Sequence, residues 1–144
     1  MKNQICKFSE GMITLPEGYS ERTINTFVDK RSALPPITLS RDVLGHHNSI
    51  EEYIESQLVI LKKQVKDWQQ AAYKPIALGD NLAEGVLIKY DFLRPDNIRQ
   101  YQTQAIFTLN MEDLLILTLS KPSMLTEKDQ QCLADIVNGF KLYD

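Results

Sequence analysis

The chain has 144 residues, of which 43% are apolar and 24% are charged. This length is enough for one domain with a sizeable core, and the composition is typical of a globular protein rather than a disordered or membrane-spanning one. A formal net charge of −3 gives no basic surface of the kind that nucleic-acid binding favours. We therefore expect a single domain over residues 1–144 that binds no nucleic acid.

The N-terminal sequence and the cysteines favour a cytoplasmic location. The first residues, MKNQICKFSEGM, contain no apolar run long enough for a signal peptide. No window approaches the roughly 20 apolar residues that span a bilayer, so stable membrane insertion is not expected. Cys6 and Cys132 are too few for a disulfide framework and match no metal motif. Two free thiols are the default expectation, and one disulfide joining the two ends is the alternative.

Three short strands are predicted before the first helix. The first covers residues 11–15 and ends at Pro16, where Pro-Glu-Gly is typical of a turn. Two further strands are predicted at residues 22–28 and 37–41. The polar loop between them contains the pair Pro35-Pro36.

Two helices are predicted. Ser49 with Glu52 forms a capping-box pattern, and apolar residues then recur at three- and four-residue steps as far as Trp68, which predicts a helix over residues 49–70. Thr126 and Asp129 provide an N-cap and a first-turn acid for a shorter second helix. Its apolar face consists of Leu133, Ile136, Val137 and Phe140.

The remaining segments predict an antiparallel meander. Strands are expected at residues 75–78, 86–93, 98–109 and 114–120, with turns at residues 94–97 and 110–113. Helices can cover one face of this sheet, which leaves a mixed face of Gln, Thr and aliphatic side chains. Such a face suits the binding of a partner. The alternative is that one helix packs on each face and everything is buried.

No combination of side chains predicts catalysis. The His46-His47 pair lies in a loop with no positioned nucleophile, and an exposed loop pair is the favoured interpretation. Glu51 and Glu55 share a helix face, but acids in a first helical turn are favoured by the macrodipole alone. No nucleophile, base and oxyanion donor come together. We expect neither an enzyme nor a metal or cofactor site.

Several segments, taken in order, resemble the DcrB-like family of small bacterial proteins, and more closely the Eag adaptor chaperones of type VI secretion. These segments are EGMITLPEGYSERTINTF, ITLSRD, the Ser-capped helix with YIESQLVIL, YQTQAIF and LILTLSKP. Two positions depart from the family pattern. Glu21 stands before Arg22 where the family usually has Asp, and Thr103 stands where Arg is common.

This resemblance implies an α+β fold: a PsbP-like α/β/α sandwich with an antiparallel sheet of about six strands flanked by two main helices. It also implies a homodimer that binds the N-terminal transmembrane helices of a secreted effector, beside the PAAR domain of that effector. Such an adaptor shields the apolar helices in the cytoplasm and helps load the effector on the secretion spike. The alternative is a DcrB-like structural or interaction domain with no transmembrane-helix client.

A partner-binding groove is expected on one face of the sheet, because alternate residues of a strand share a face. The predicted groove residues are Ile24, Thr26, Ile37, Leu39, Gln102, Gln104, Ile106 and Ile116. The alternation groups the residues within each strand but leaves open which face is the groove.

Overall fold

A seven-stranded antiparallel sheet with one helix on each face forms the body of the protein in a computed structural model. The structure describes residues 4–143; residues 1–3 and 144, which the predicted domain includes, lie outside this range. The elements are β1 (Gln4–Phe8), β2 (Gly11–Leu15), β3 (Asn25–Phe27), β4 (Ile37–Val43), α1 (Ile50–Lys62), β5 (Lys66–Gln70), β6 (Lys74–Leu78), β7 (Ala83–Leu93), β8 (Arg99–Thr108), β9 (Asp113–Lys121) and α2 (Glu127–Asn138).

The sheet order is β3-β4-β9-β8-β7-β5, and every pairing is antiparallel. Strand β6 pairs with the first half of β7, on the same edge that β5 occupies along the second half. Strands β1 and β2 pair with each other in a separate hairpin. The predicted α+β sandwich is confirmed, with seven strands in the main sheet where about six were expected.

Two apolar clusters hold the layers together, one on each face of the sheet. On one face, Leu133 and Val137 of α2 pack on side chains that include Phe107, Leu117 and Leu119. On the other face, α1 packs on a second group of strand side chains. Its buried residues Tyr53, Ile54 and Leu58 contact a cluster that contains Val86, Ile88, Ile106, Leu114 and Ile116. Each helix therefore covers one face, and these are called the α2 face and the α1 face below.

The first helix is shorter than predicted. It begins after the N-cap Ser49, whose side chain accepts a 3.1 Å hydrogen bond from the Glu52 amide, but it ends at Lys62 rather than near residue 70. Residues 66–70 form β5 instead, and there Trp68 stacks on Tyr90 and Phe92 with ring centroids 4.7 and 5.7 Å away. Trp68 therefore packs on the apolar cluster under α1, as the helical spacing predicted, but it does so from an edge strand.

The second helix agrees with its prediction. Thr126 is the N-cap, and its hydroxyl accepts from the Asp129 amide at 3.1 Å while the Asp129 carboxylate accepts from the Thr126 amide at 2.9 Å. This reciprocal capping box satisfies two backbone donors that a helix start leaves free. Gly139 is the C-cap.

The meander strands form where predicted, each with small shifts at its ends, whereas the N-terminal strands differ more. The predicted strand 22–28 is reduced to Asn25–Phe27, and β1 was not predicted. Both Cys6, on β1, and Cys132, on α2, are free thiols.

Candidate partner-binding face

The α1 face carries a strip of uncharged polar side chains beyond the part that α1 covers. Helix α1 packs over the row formed by Ile116, Ile106 and Val86. The next rows hold hydroxyls and amides on β3, β4, β9 and β8, and they end at Ile88 and Tyr90 on β7. We call this surface the polar strip; its members are Thr26, Thr38, Thr118, Ser120, Gln100, Gln102 and Gln104.

Strand register builds the strip, because directly paired residues of antiparallel strands point to the same face. Thr26 on β3 lies opposite Thr38 on β4, which lies opposite Thr118 on β9. Thr118 in turn lies opposite Gln104 on β8. One continuous polar row therefore runs from the edge of the sheet to its middle. A second, shorter row pairs Ser120 with Gln102.

Hydrogen bonds between neighbouring strands orient these side chains. Gln104 donates from Nε2 to Oγ1 of Thr118 at 3.1 Å, and Gln100 donates from Nε2 to Oγ of Ser120. Gln102 accepts at Oε1 from the hydroxyl of Tyr90 at 2.5 Å. Gln100 also accepts at Oε1 from Nη1 of Arg94 at 3.1 Å, so both atoms of its amide group are engaged. The bonds of Gln102 and Gln104 use one amide atom each and leave the other able to bind a ligand.

The strip is half-buried rather than sealed. All its members are partly accessible except Thr26, which is exposed. A crevice of about 210 Å³ runs between α1 and the sheet at the inner end of the strip. It is lined by Ser40, Tyr53, Ile54, Gln57, Leu58, Gln104, Ile106 and Ile116. The surface thus passes from a crevice of mixed polarity to hydroxyls and amides, so it offers an uncharged ligand both packing and hydrogen bonds.

Two tyrosines on this face stay neutral. Burial raises the pKa of Tyr90 well above its ordinary value, so its hydroxyl remains a donor to Gln102. Burial, reinforced by a hydrogen bond to Asp42, likewise raises the pKa of Tyr53, whose hydroxyl donates to Oδ2 of Asp42 at 2.6 Å. No formal charge from a tyrosine therefore enters the strip at physiological pH.

The structure separates the predicted groove residues into two groups. Thr26, Gln102, Gln104, Ile106 and Ile116 share the α1 face. Within this group Ile106 is only 2% exposed and Ile116 only 9% exposed, because α1 packs on both. These two isoleucines therefore form the floor under the helix, and the open surface consists of the polar members.

Ile37 and Leu39 lie on the opposite face, which corrects the expectation that they flank Thr26. The residue opposite Thr26 is Thr38, so its neighbours Ile37 and Leu39 point to the α2 face. There Ile37 is 2% exposed and belongs to the core under α2. Ile24 precedes β3 and is 66% exposed, without a strand partner among residues 4–143.

Sequence reasoning missed Thr38, Thr118, Ser120 and Gln100 as members of this surface. The signal was present in the meander. A turn at residues 109–113, closed by the amide of Leu109 donating to the carbonyl of Asp113 at 3.1 Å, fixes the register that sets Thr118 opposite Gln104. This short turn constrains the register of β8 and β9, which places Thr118 opposite Gln104 and Ser120 opposite Gln102.

His47 is partly buried, whereas the sequence predicted an exposed pair of loop histidines. Its Nε2 lies 3.3 Å from the hydroxyl of Ser56, and its Nδ1 lies 3.6 Å from Glu52. The Ser56 hydroxyl also donates to the carbonyl of Tyr53 at 2.7 Å, so its proton is engaged with the backbone of α1. These contacts fasten the loop to the helix. Within residues 4–143, no group of three or more His, Cys, Asp or Glu side chains is arranged for a metal ion.

Comparison with protein families provides the identification. The family model described as DcrB matches residues 10–139, which is nearly the whole chain. The chain belongs to the DcrB family. The match begins just before β2 and ends at the C-cap of α2, so it includes the complete sheet and both helices of this DcrB protein.

Solved structures show the same fold. A Pseudomonas aeruginosa protein of unknown function, suggested to be a regulator, superposes with a TM-score of 0.70. The superposition on its crystal structure covers 99% of this chain and 98% of the Pseudomonas aeruginosa chain, at 16% sequence identity. A search among curated proteins gave no match. Neither α1 nor α2 is long and apolar enough to cross a membrane, and no other helix occurs in residues 4–143.

Proposed function

We propose that this DcrB protein is a cytoplasmic, non-enzymatic adaptor that binds an apolar helical segment of a partner on the polar strip. The client is the N-terminal transmembrane region of a PAAR-containing type VI secretion effector. The observation that carries the proposal is the strip itself. It is an uncharged row of hydroxyls and amides from Thr26 to Gln104, beside a crevice that is lined by both aliphatic and polar side chains.

The chemistry of the strip fits such a client better than it fits a soluble peptide or an ion. A segment of about 20 apolar residues must be shielded from water before it reaches a membrane. Small-residue faces of membrane helices pack closely and accept hydrogen bonds from Ser, Thr and Gln side chains. Half-buried amides such as those of Gln102 and Gln104 supply these bonds without bringing a charge into the contact.

Binding is favourable because apolar area leaves water on both partners. Each Å² of buried apolar surface contributes about 25 cal/mol before the costs of association. The resemblance of the sequence to Eag adaptors supports the same client class.

The test is capture of a defined client. The N-terminal apolar region of a PAAR-containing type VI secretion effector is fused to a soluble carrier and co-expressed with the wild-type protein. The expected result is a stable complex in the soluble fraction, with the client aggregating when it is expressed alone. A client that stays soluble by itself, or fails to co-purify, contradicts the proposal. The DcrB-like interaction domain without such a client is then the better description.

A further inference from the structure

A groove on the α2 face of the sheet runs past the N-terminal end of α2. It consists of two crevices, of about 550 and 400 Å³, which are continuous because Lys89, Leu125 and Gln130 line both of them. We call the two crevices together the α2 groove. Each crevice lies in the range of volumes in which proteins hold small-molecule ligands.

One wall of the α2 groove is apolar. Ile76, Leu87 and Leu125 pack on the cluster under α2, but each of them remains only half-buried. All three line the larger crevice, so their remaining accessible surface faces the groove. A ligand that covers this wall removes apolar surface from water, which contributes about 25 cal/mol for each Å².

Lys89 lies where the two crevices meet. It is directly opposite Thr103 in the register of β7 and β8, and Thr103 is fully buried on the α2 face, so Lys89 points to the same face. The Thr103 hydroxyl accepts from Nε2 of Gln130 at 2.9 Å, which fixes an amide of α2 at the same junction. Since an amide nitrogen carries two hydrogens, Gln130 keeps one donor for a ligand.

Within residues 4–143, the Lys89 ammonium makes no ion pair. Lys121 and Arg99, which are half-buried on the same face, each pair with a carboxylate at 2.5 Å. Asp91 lines the smaller crevice but is already paired with Arg99, and Glu127 lines the larger crevice from an exposed position. A partly desolvated charge is costly without a partner, so the groove favours a ligand with a negative charge at Lys89.

We propose that the α2 groove binds a small carboxylic acid with an unbranched apolar chain, of the size of a medium-chain fatty acid. The carboxylate binds the ammonium of Lys89 and the amide of Gln130, and the chain lies along the apolar wall of the larger crevice. One ammonium balances the single charge of a carboxylate, whereas a phosphate group carries about −1.5 to −2 at pH 7.

An extended peptide fits the α2 groove less well than a small molecule. Its floor is formed by β7 and β8, and each of these strands is paired along both edges. Their backbone groups are therefore used within the sheet and cannot make the main-chain hydrogen bonds by which a sheet binds an added strand. The groove lies on the face opposite the polar strip, so the proposal does not depend on the proposed client.

Calorimetric titration of the full chain with sodium decanoate tests the proposal. The wild type is expected to show saturable binding, and Lys89→Met, which removes the charge, is expected to weaken it at least about tenfold. Lys128→Met makes the same change at an exposed position of α2 outside the groove and is expected to bind like the wild type. Circular dichroism checks that both variants are folded. Absence of saturable binding to the wild type, or equal affinities of the two folded variants, overturns the proposal.

Two further ligands test the same site without any substitution. Decanol keeps the chain and lacks the charge, whereas butyrate keeps the carboxylate and shortens the chain. Both are expected to bind the wild type at least about tenfold more weakly than decanoate. Decanol that binds as tightly as decanoate would show that Lys89 does not recognise the head group. Butyrate that binds as tightly would show that the apolar wall contributes nothing, and either result contradicts the assignment.

Discussion

Tyr90 and Gln102 lie directly opposite each other on β7 and β8, and the Tyr90 hydroxyl donates to Oε1 of Gln102 at 2.5 Å. The ring of Tyr90 is stacked on Trp68 of β5 and is 5% exposed. One side chain therefore connects the aromatic edge of the sheet to the polar strip. The orientation of Gln102 therefore depends on a buried residue.

Two substitutions separate the roles of this tyrosine. Tyr90→Phe keeps the stacked ring but removes the donor, and it is expected to cost about 1 kcal/mol of unfolding free energy. Tyr90→Ala also removes the ring that stacks on Trp68 beside Phe92, and it is expected to cost about 3–5 kcal/mol. Urea unfolding followed by the fluorescence of the single Trp measures both. Equal losses in the two variants would show that the stacking contributes nothing.

Gly85 leaves no room for a larger side chain. A Cβ there would lie 2.2 Å from the carbonyl oxygen of Ile106 and 2.5 Å from Phe107. Because the first contact is with backbone, the two central strands must separate, and Gly85→Ala is expected to lose about 3 kcal/mol or more. Gly11→Ala on the hairpin meets nothing within 4 Å and serves as the control, with a change near zero in thermal unfolding. Similar melting temperatures for both variants would contradict the packing of β7 on β8.

Asp129 makes the stability depend on pH in the acid range. Burial alone would raise the pKa of Asp129, but the Lys121 ammonium at 2.5 Å and the bonds from Thr126 lower it below its ordinary value. A carboxyl with a lowered folded-state pKa stabilises the protein above its unfolded-state pKa of about 4 and loses that stabilisation as pH falls through the folded-state value.

The variant Asp129→Asn isolates this contribution. At pH 7 its unfolding free energy is expected to be lower than that of the wild type by about 2 kcal/mol, since an ion pair and part of a helix cap are removed. The gap is expected to narrow as pH falls from about 4 through the lower folded-state pKa, below which the folded wild-type carboxyl is also neutral. Asp135→Asn, exposed on the same helix, is the control. A gap that is constant with pH would mean that charge is not the cause.

The sequence predicted the meander well because its strands alternate and its turns are short. Residues 94–97 and 109–113 close tight turns, and these leave little freedom in how β7, β8 and β9 pair. The end of α1 could not be found in this way. Leu61, Val65 and Trp68 satisfy a helical period although Trp68 reaches the core from a strand.

The candidate site was predicted only in part, for a similar reason. Alternation within β8 correctly grouped Gln102, Gln104 and Ile106, but it carries no information on how β3 and β4 are aligned with each other. A shift of one residue in that register moves a side chain to the opposite face. This is why Ile37 and Leu39 were assigned to the face of Thr26, whereas Thr38 lies there.

The most direct test of the central claim is a charge placed in the polar strip. Gln104→Glu keeps the shape of the side chain, and its matched control Gln131→Glu makes the same change on α2, on the other face of the sheet. Binding of the fluorescently labelled, carrier-fused apolar segment is measured for both variants. Because an unpaired carboxylate is costly to desolvate against an apolar helix, we predict at least about a tenfold loss of affinity, or 1.4 kcal/mol, for Gln104→Glu alone. Equal affinities for the two folded variants would contradict the assignment of the strip as the binding surface.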